Sequence, residues 1–257
     1  MKFFYRKYGK GPPLIILHGL FGMSDNWVTF GKALAKEYEV YIPDQRNHGR
    51  SPHSKEFDFE IMSNDIIEFI SEHKLDKVVL MGHSMGGKVA MITALNHPEI
   101  ISKLIVLDIG VRTYDLSPEI KKILEVINTI ELQKTTNRNE IKKMLSVLIS
   151  DKRIIELMIK NIIRKENNVF DWKFNVEAIS NNLDKILIGI ETEKVFQGPS
   201  IFISAEKSYY ITGEDFYEIF ENFPQAQIEV INNAGHWLHV DAAQKLLSLV
   251  VTFLRKK

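Results

Sequence analysis

The 257-residue chain contains no cysteine. Disulfides, thiolate metal sites and a cysteine nucleophile are therefore excluded. It also lacks an excess of charge of either sign. Its 33 Lys and Arg residues match 33 Asp and Glu residues, for a formal net charge of +0, so no overall field draws it to nucleic acid or an anionic membrane. No apolar run is long enough to span a bilayer, and the opening Met1-Lys2-Phe3-Phe4-Tyr5-Arg6-Lys7 has none that suits a signal peptide. These absences lead us to expect a cytoplasmic protein with neither nucleic-acid nor membrane partners. What is present is 45% apolar residues beside 26% charged ones, enough for a substantial core, and a length that suits one α/β domain.

The front half alternates short β-branched runs with helical spacing, the pattern of a mostly parallel sheet with crossover helices. Phe3–Tyr8 reads as an edge strand that turns at Gly9-Lys10-Gly11-Pro12-Pro13. Leu14–Leu17 is continuously apolar, as a strand buried on both faces must be. Val40–Ile42, Val78–Met81 and Leu104–Leu107 repeat that character. Helices are predicted near Phe30–Lys36, Met62–His73 and Met85–Asn96, the last stopped by Pro98.

From about Arg112 to Lys194 the pattern is amphipathic helix without a convincing buried strand. Ser117-Pro118-Glu119 makes a good helix start, with a cap residue, a proline in the first turn and an acidic group facing the dipole. Ile120, Ile123, Leu124 and Ile127 follow at helical spacing, and Ile141, Met144, Leu145, Leu148 and Ile149 repeat it. Strand character returns at Ser200–Ile203 and Ile228–Ile231, before an amphipathic C-terminal helix marked by Leu246, Leu249, Val250, Phe253 and Leu254. We therefore expect a core from residues 1–111 and 197–257, with residues 112–196 inserted as a helical lid over the edge where α/β sheets bind ligands.

The chemistry centres on Gly82-His83-Ser84-Met85-Gly86. A G-x-S-x-G pentapeptide is weak evidence alone. Here it directly follows a strand and precedes a helix, the setting a nucleophile elbow requires. Glycines two residues either side of the serine remove Cβ atoms that would strike the neighbouring strand and helix. A serine hydroxyl needs a base, and His236, in Asn233-Ala234-Gly235-His236-Trp237 after the last strand, is the candidate, with His239 as the alternative. The order Ser, acid, His fits this fold. Oxyanion donors are expected from the N–H of Met85 and, in His18-Gly19-Leu20-Phe21-Gly22, from the N–H of Leu20, with Phe21 second. His18 is expected to brace that loop.

The acid is less plain. Glu206 lies close to the end of its strand, and Asp215 opens a helix, where capping is sufficient explanation. Asp108, at the end of the strand beyond the nucleophile strand, projects toward the same edge as Ser84 and is preferred.

These motifs resemble the α/β-hydrolase superfamily over nearly the whole chain, and within it the YbfF-like esterase subgroup that includes the abhydrolase-domain-eleven proteins. The resemblance rests on His18–Gly22 followed by Asp25-Asn26-Trp27, on Asp44-Gln45-Arg46-Asn47-His48-Gly49-Arg50-Ser51-Pro52, and on Gly82–Lys88. It implies a lid inserted after the sixth strand and an acid placed there. A serine-containing loop then stands where the usual aspartate after the seventh strand would be; Asp108 and Ser208 match those positions.

The expected activity is that of a serine carboxylesterase acting on small acyl esters or thioesters. Ser84, His236 and Asp108 are its triad, Leu20 and Met85 its oxyanion donors, and Phe21, Met23 and Trp237 its apolar pocket. No metal or organic cofactor is called for. A C–C bond hydrolase or a lyase of the menaquinone-pathway type could use the same triad, with Lys88 or Arg112 as the extra polar group. A non-enzymatic receptor has no need of the full set. Asp44, Arg46 and His48 are expected to form a bracing turn, and Lys88 to pair with a buried acid.

Overall fold

A computed structural model describes residues 1–135, 137–166 and 168–256. The strands are β1 (Tyr5–Tyr8), β2 (Pro13–Leu17), β3 (Glu39–Pro43), β4 (Val78–His83), β5 (Ile101–Leu107), β6 (Ile162–Arg164), β7 (Phe170–Trp172), β8 (Ser200–Ala205) and β9 (Ala226–Ile231). The helices are α1 (Val28–Leu34), α2 (Phe59–Glu72), α3 (Met85–Asn96), α4 (Pro118–Thr129), α5 (Arg138–Leu148), α6 (Lys152–Lys160), α7 (Val176–Asn181), α8 (Asp215–Asn222), α9 (Leu238–Asp241) and α10 (Ala243–Arg255).

Seven strands form one sheet in the order β1-β3-β2-β4-β5-β8-β9. Only β1 runs antiparallel, against β3; the remaining pairs are parallel. The continuous apolar runs occupy the middle of this sheet. Every residue of β4 is buried, as are Leu14–Leu17. Alternate residues of these strands feed two cores. Ile15, Leu17 and Leu80 face one that includes α2 and α3. Leu14, Ile16 and Met81 face one closed by α1 and α10. Because a parallel sheet ends all its strands at the same edge, the loops after β2, β4, β5, β8 and β9 gather at one rim.

The strand before the insertion, the sixth in the count the family resemblance carries, is the fifth in this chain. Between β5 and β8 lie α4 to α7 and, against the expectation of helix alone, a short antiparallel hairpin of β6 and β7. The hairpin escapes a periodicity reading because each arm is three residues long, shorter than any alternation that could be recognised. Ser117 caps α4 as expected, its hydroxyl accepting from Ile120 N at 3.1 Å. The segment is tied back to the core loops: Asn175 N donates to Asn47 O at 2.8 Å, and Asn161 Nδ2 to Phe21 O at 2.7 Å. Among the described residues no helix is long and apolar enough to cross a membrane.

Candidate active site

Ser84 occupies the single residue between β4 and α3, with φ 53° and ψ −121°. A side chain rarely tolerates that backbone region, and it persists only where the surroundings enforce it. Here Ser84 N donates to Leu107 O at 3.0 Å, while Ser84 O accepts from Gly87 N and Lys88 N. The two motif glycines make the turn possible. A Cβ on Gly82 would lie 2.1 Å from Gly86 O, and one on Gly86 would lie 2.5 Å from Leu17 O.

Asp108 is the second strained residue, with φ 49° just beyond β5. Its N–H donates to Ile203 O at 2.9 Å, which fixes it to the end of β8. The side chain is fully buried and both oxygens are used. Oδ1 accepts from Ala205 N at 3.0 Å, and Oδ2 lies 2.7 Å from His236 Nδ1. A carboxylate there holds the proton on Nδ1 and leaves Nε2 with the lone pair. The His236 ring is thereby fixed in orientation, and it lines the same cavity as Ser84.

Five further contacts fix the histidine loop. Glu206 accepts from Asn233 N at 2.7 Å, so it braces this loop. Lys207 N donates to Ala234 O at 2.9 Å. Gly235 N donates to Asp241 Oδ2 at 2.9 Å, and Asp241 is paired in turn with Arg153 of α6. His83 Nε2 lies 2.8 Å from His236 O and donates to it, since a carbonyl can only accept. Burial among other imidazoles pushes the His83 pKa well below its ordinary value, so the ring is neutral. Tyr210 stacks on the His236 ring at 4.1 Å. Neither His83 nor Tyr210 stood out in sequence. His83 sits at a free position of the pentapeptide, where only its residue type offered a signal, and Tyr210 lies in an irregular loop with no period to read.

His239, the alternative base, stacks on Trp27 at 4.5 Å and is pushed down to about 4 by burial. Asp215, at the start of α8, pairs with Arg112 at 2.7 Å and accepts from Thr212 N at 2.6 Å. Lys88 does not pair with a buried acid. Its ammonium donates to the carbonyls of Val111 and Arg112 at 2.6 and 2.7 Å, because α3 points it at the chain just leaving β5. Burial there lowers it to about 7.

The loop after β2 carries the third strained residue, Phe21, with φ 58°. Phe21 N donates to His48 Nε2 at 3.1 Å. Among the described residues, the N–H groups of Leu20 and Met85 meet no protein acceptor. His18 Nε2 accepts from Gln45 N at 2.9 Å, and its Nδ1 donates to Gly19 O. The turn after β3 thus braces the β2 loop from two points, His48 and Gln45. Within that turn Asp44 accepts from Ser24 N and Arg50 N, and Arg46 makes a two-pronged pair with buried Asp65.

These loops enclose a cavity of about 530 Å³. Phe21 and Trp237 line it, as do Ser117, Ile120, Arg153 and Leu157 from the segment between β5 and β8. Ser208 also faces it and its hydroxyl accepts from Tyr210 N at 3.3 Å. Met23, expected in the pocket, is not among the lining residues. It is buried in the β2 loop, its carbonyl accepting from Asn26 N and its sulfur 3.8 Å from Lys173 Nζ. The tight turn sets Phe21 against the cavity and leaves Met23, equally buried, packed away from it. Among the described residues no three His, Asp or Glu side chains are grouped to hold a metal ion.

A sheet of this order, with a serine elbow after β4 and a histidine loop after β9, defines an α/β hydrolase. The family model described as alpha/beta hydrolase fold matches residues 12–143, and the chain belongs to that family. It is 33% identical over 253 residues to the sn-1-specific diacylglycerol lipase ABHD11 of Danio rerio, an alignment covering 96% of this chain and 80% of the relative. It is 27% identical over 242 residues to esterase YbfF of Escherichia coli, covering 94% and 92% of the two chains. Among solved structures, the chain superposes on a marine microorganism esterase with a TM-score of 0.95 at 40% identity, covering 98% of this chain and 99% of that one.

Proposed function

We propose that the chain is a serine carboxylesterase that works through an acyl-enzyme on Ser84. The observation that carries this reading is the 2.7 Å contact between Asp108 Oδ2 and His236 Nδ1 at a cavity onto which the Ser84 elbow also opens. His236 Nε2 takes the Ser84 proton as Oγ attacks the ester carbonyl. Negative charge on the carbonyl oxygen is met by the N–H groups of Leu20 and Met85, both free of protein acceptors. The imidazolium, held by Asp108, then protonates the departing alcohol or thiol. Water repeats the cycle with the same base, releasing the carboxylic acid and restoring Ser84. Every atom is accounted for with water as the only co-reactant.

The segment 112–196 acts as a lid in this reading, since Ile120, Arg153 and Leu157 stand over the cavity. Its helices keep bulk water from the acyl-enzyme while admitting an ester. No observation favours C–C bond cleavage. Arg112 is committed to Asp215 and Tyr209 O, and the Lys88 ammonium to two carbonyls.

The test is turnover of a p-nitrophenyl acyl ester by wild type and Ser84→Ala, with fluorophosphonate labelling alongside. Wild type should turn over and label, and the folded variant should do neither. Retained turnover in the variant would refute the assignment.

A further inference from the structure

The loop after β8 supplies no acid to His236, since Glu206 is committed to Asn233 N. What it supplies is an aromatic ring. The Tyr210 ring lies 4.1 Å from that of His236, centroid to centroid, with 28° between the planes. The imidazole therefore meets the face of the phenol ring, which carries the negative part of its quadrupole.

That ring is held at several points. Tyr209 stacks on it at 4.6 Å, with 21° between the planes. The Tyr114 hydroxyl donates to Tyr210 O at 2.5 Å and accepts from Gly110 N at 2.7 Å. Arg112 Nη2 donates to Tyr209 O at 2.8 Å. Gly110, Arg112 and Tyr114 lie on the chain leaving β5, a few residues beyond Asp108. One stretch of chain thus sets both the carboxylate at the edge of the imidazole and the ring on its face. Burial raises the Tyr210 phenol far above its usual range, so the ring stays neutral.

We infer that Tyr210 is a positioning residue for the proposed base, holding the His236 ring in the plane Asp108 requires and stabilising the imidazolium formed during acyl transfer. This rests on the serine-esterase reading above. A neutral imidazole gains only orientation from the contact. Once it has taken the Ser84 proton it is a cation over a π face, an attraction that strengthens where water is excluded. The gain is larger after proton transfer than before it, which is the condition for raising a rate. Other groups around His236 do not supply this. Asp108 meets it at Nδ1, along the edge of the ring. The His83 ring, 4.7 Å away, and that of His239 are kept neutral by burial. Glu119, Asp151, Arg153, Lys207 and Asp241, which share the cavity, are unaltered by a change at position 210.

The test is turnover of a p-nitrophenyl acyl ester against pH in wild type, Tyr210→Phe, Tyr210→Leu and Tyr210→pentafluorophenylalanine, with Ser84→Ala as control. The value of kcat/KM rises with pH as the base loses its proton. Tyr210→Phe keeps the ring face, so this rise should stay within about 0.3 pH of wild type. The fluorinated ring fills nearly the same space but reverses the quadrupole. There, as in Tyr210→Leu, an imidazolium without its partner gives up the proton more readily. The rise should move to lower pH by about 0.5–1.5, and kcat above it should drop about three- to thirtyfold against Tyr210→Phe. A rise that keeps its pH in the fluorinated variant would overturn the inference and leave the esterase reading intact. Because that variant preserves shape, it decides the question even if Tyr210→Leu fails to fold. Turnover that survives Ser84→Ala, or no turnover in wild type, would overturn both.

Discussion

His83 Nε2 donates to the carbonyl oxygen of His236 across 2.8 Å, so the residue before the proposed nucleophile holds the backbone of the proposed base. The two loops are 153 positions apart in sequence, and this bond fixes their spacing independently of the Asp108 contact. Replacing His83 by Ala should lower kcat by about ten- to a hundredfold, since small misplacements of reacting groups are costly. KM should change little, because substrate does not need this bond to bind. A raised KM with kcat intact would mean that His83, which also lines the cavity, acts through substrate contact and not by holding His236.

Asp108→Asn separates orientation from packing. The amide can still accept from Ala205 N but no longer stabilises an imidazolium, and it favours the wrong tautomer of His236. Turnover should fall by roughly three to four orders of magnitude, with the melting temperature shifted by only a few degrees. An unchanged kcat would show that another acid serves His236.

Acid should unfold the protein through its buried histidines. His18 and His239 are pushed down to about 4, and His48 to about 3, all mainly by burial. Below about pH 6.5 the unfolded chain takes up protons that the folded chain refuses. Stability therefore rises with pH between about 4 and 6.5 and is lost on acidification through that window. Each pKa unit of depression is worth about 1.4 kcal/mol. Urea midpoints measured from pH 7 to 4 should fall steadily, and less steeply in a folded His239→Gln variant. A flat profile would mean these rings are already protonated in the native state.

Lys88 has the same linkage at higher pH. Burial lowers it from 10.5 to about 7, so below about pH 7 the native state carries an ammonium at full desolvation cost. Between about 7 and 10.5 the unfolded chain binds the extra proton, and the penalty is relieved as pH rises. Lys88→Met removes this dependence but also two hydrogen bonds to Val111 and Arg112. The variant should compare best with wild type at pH 6 and worst at pH 10. Thermal melts across that range would show it, and a constant difference would contradict the proposed proton linkage.

Much of the fold could be read from sequence. The apolar runs at Leu14, Val40, Val78 and Leu104 are too continuous to lie on a solvent-facing sheet, and Ser117-Pro118-Glu119 marked the start of α4. The β6–β7 hairpin was invisible, as its arms are too short for a period. The site was less open to reading. The G-x-S-x-G spacing singles out Ser84 because only glycine fits at Gly82 and Gly86. By contrast, sequence gave Met23 the same apolar credentials as Phe21, and a turn of backbone separates them. Lys88 looked like half of an ion pair and is bonded to carbonyls.

The chain's local chemistry determined the elements, the elbow and which edge of the sheet carries the loops, because each depends on residues within a few positions of one another. Tertiary structure alone decided that Asp108 meets His236, that His83 ties the two loops, and that the Tyr210 ring lies against that of His236. Those facts depend on distances between loops from different strands, set by sheet packing and not by any spacing along the chain.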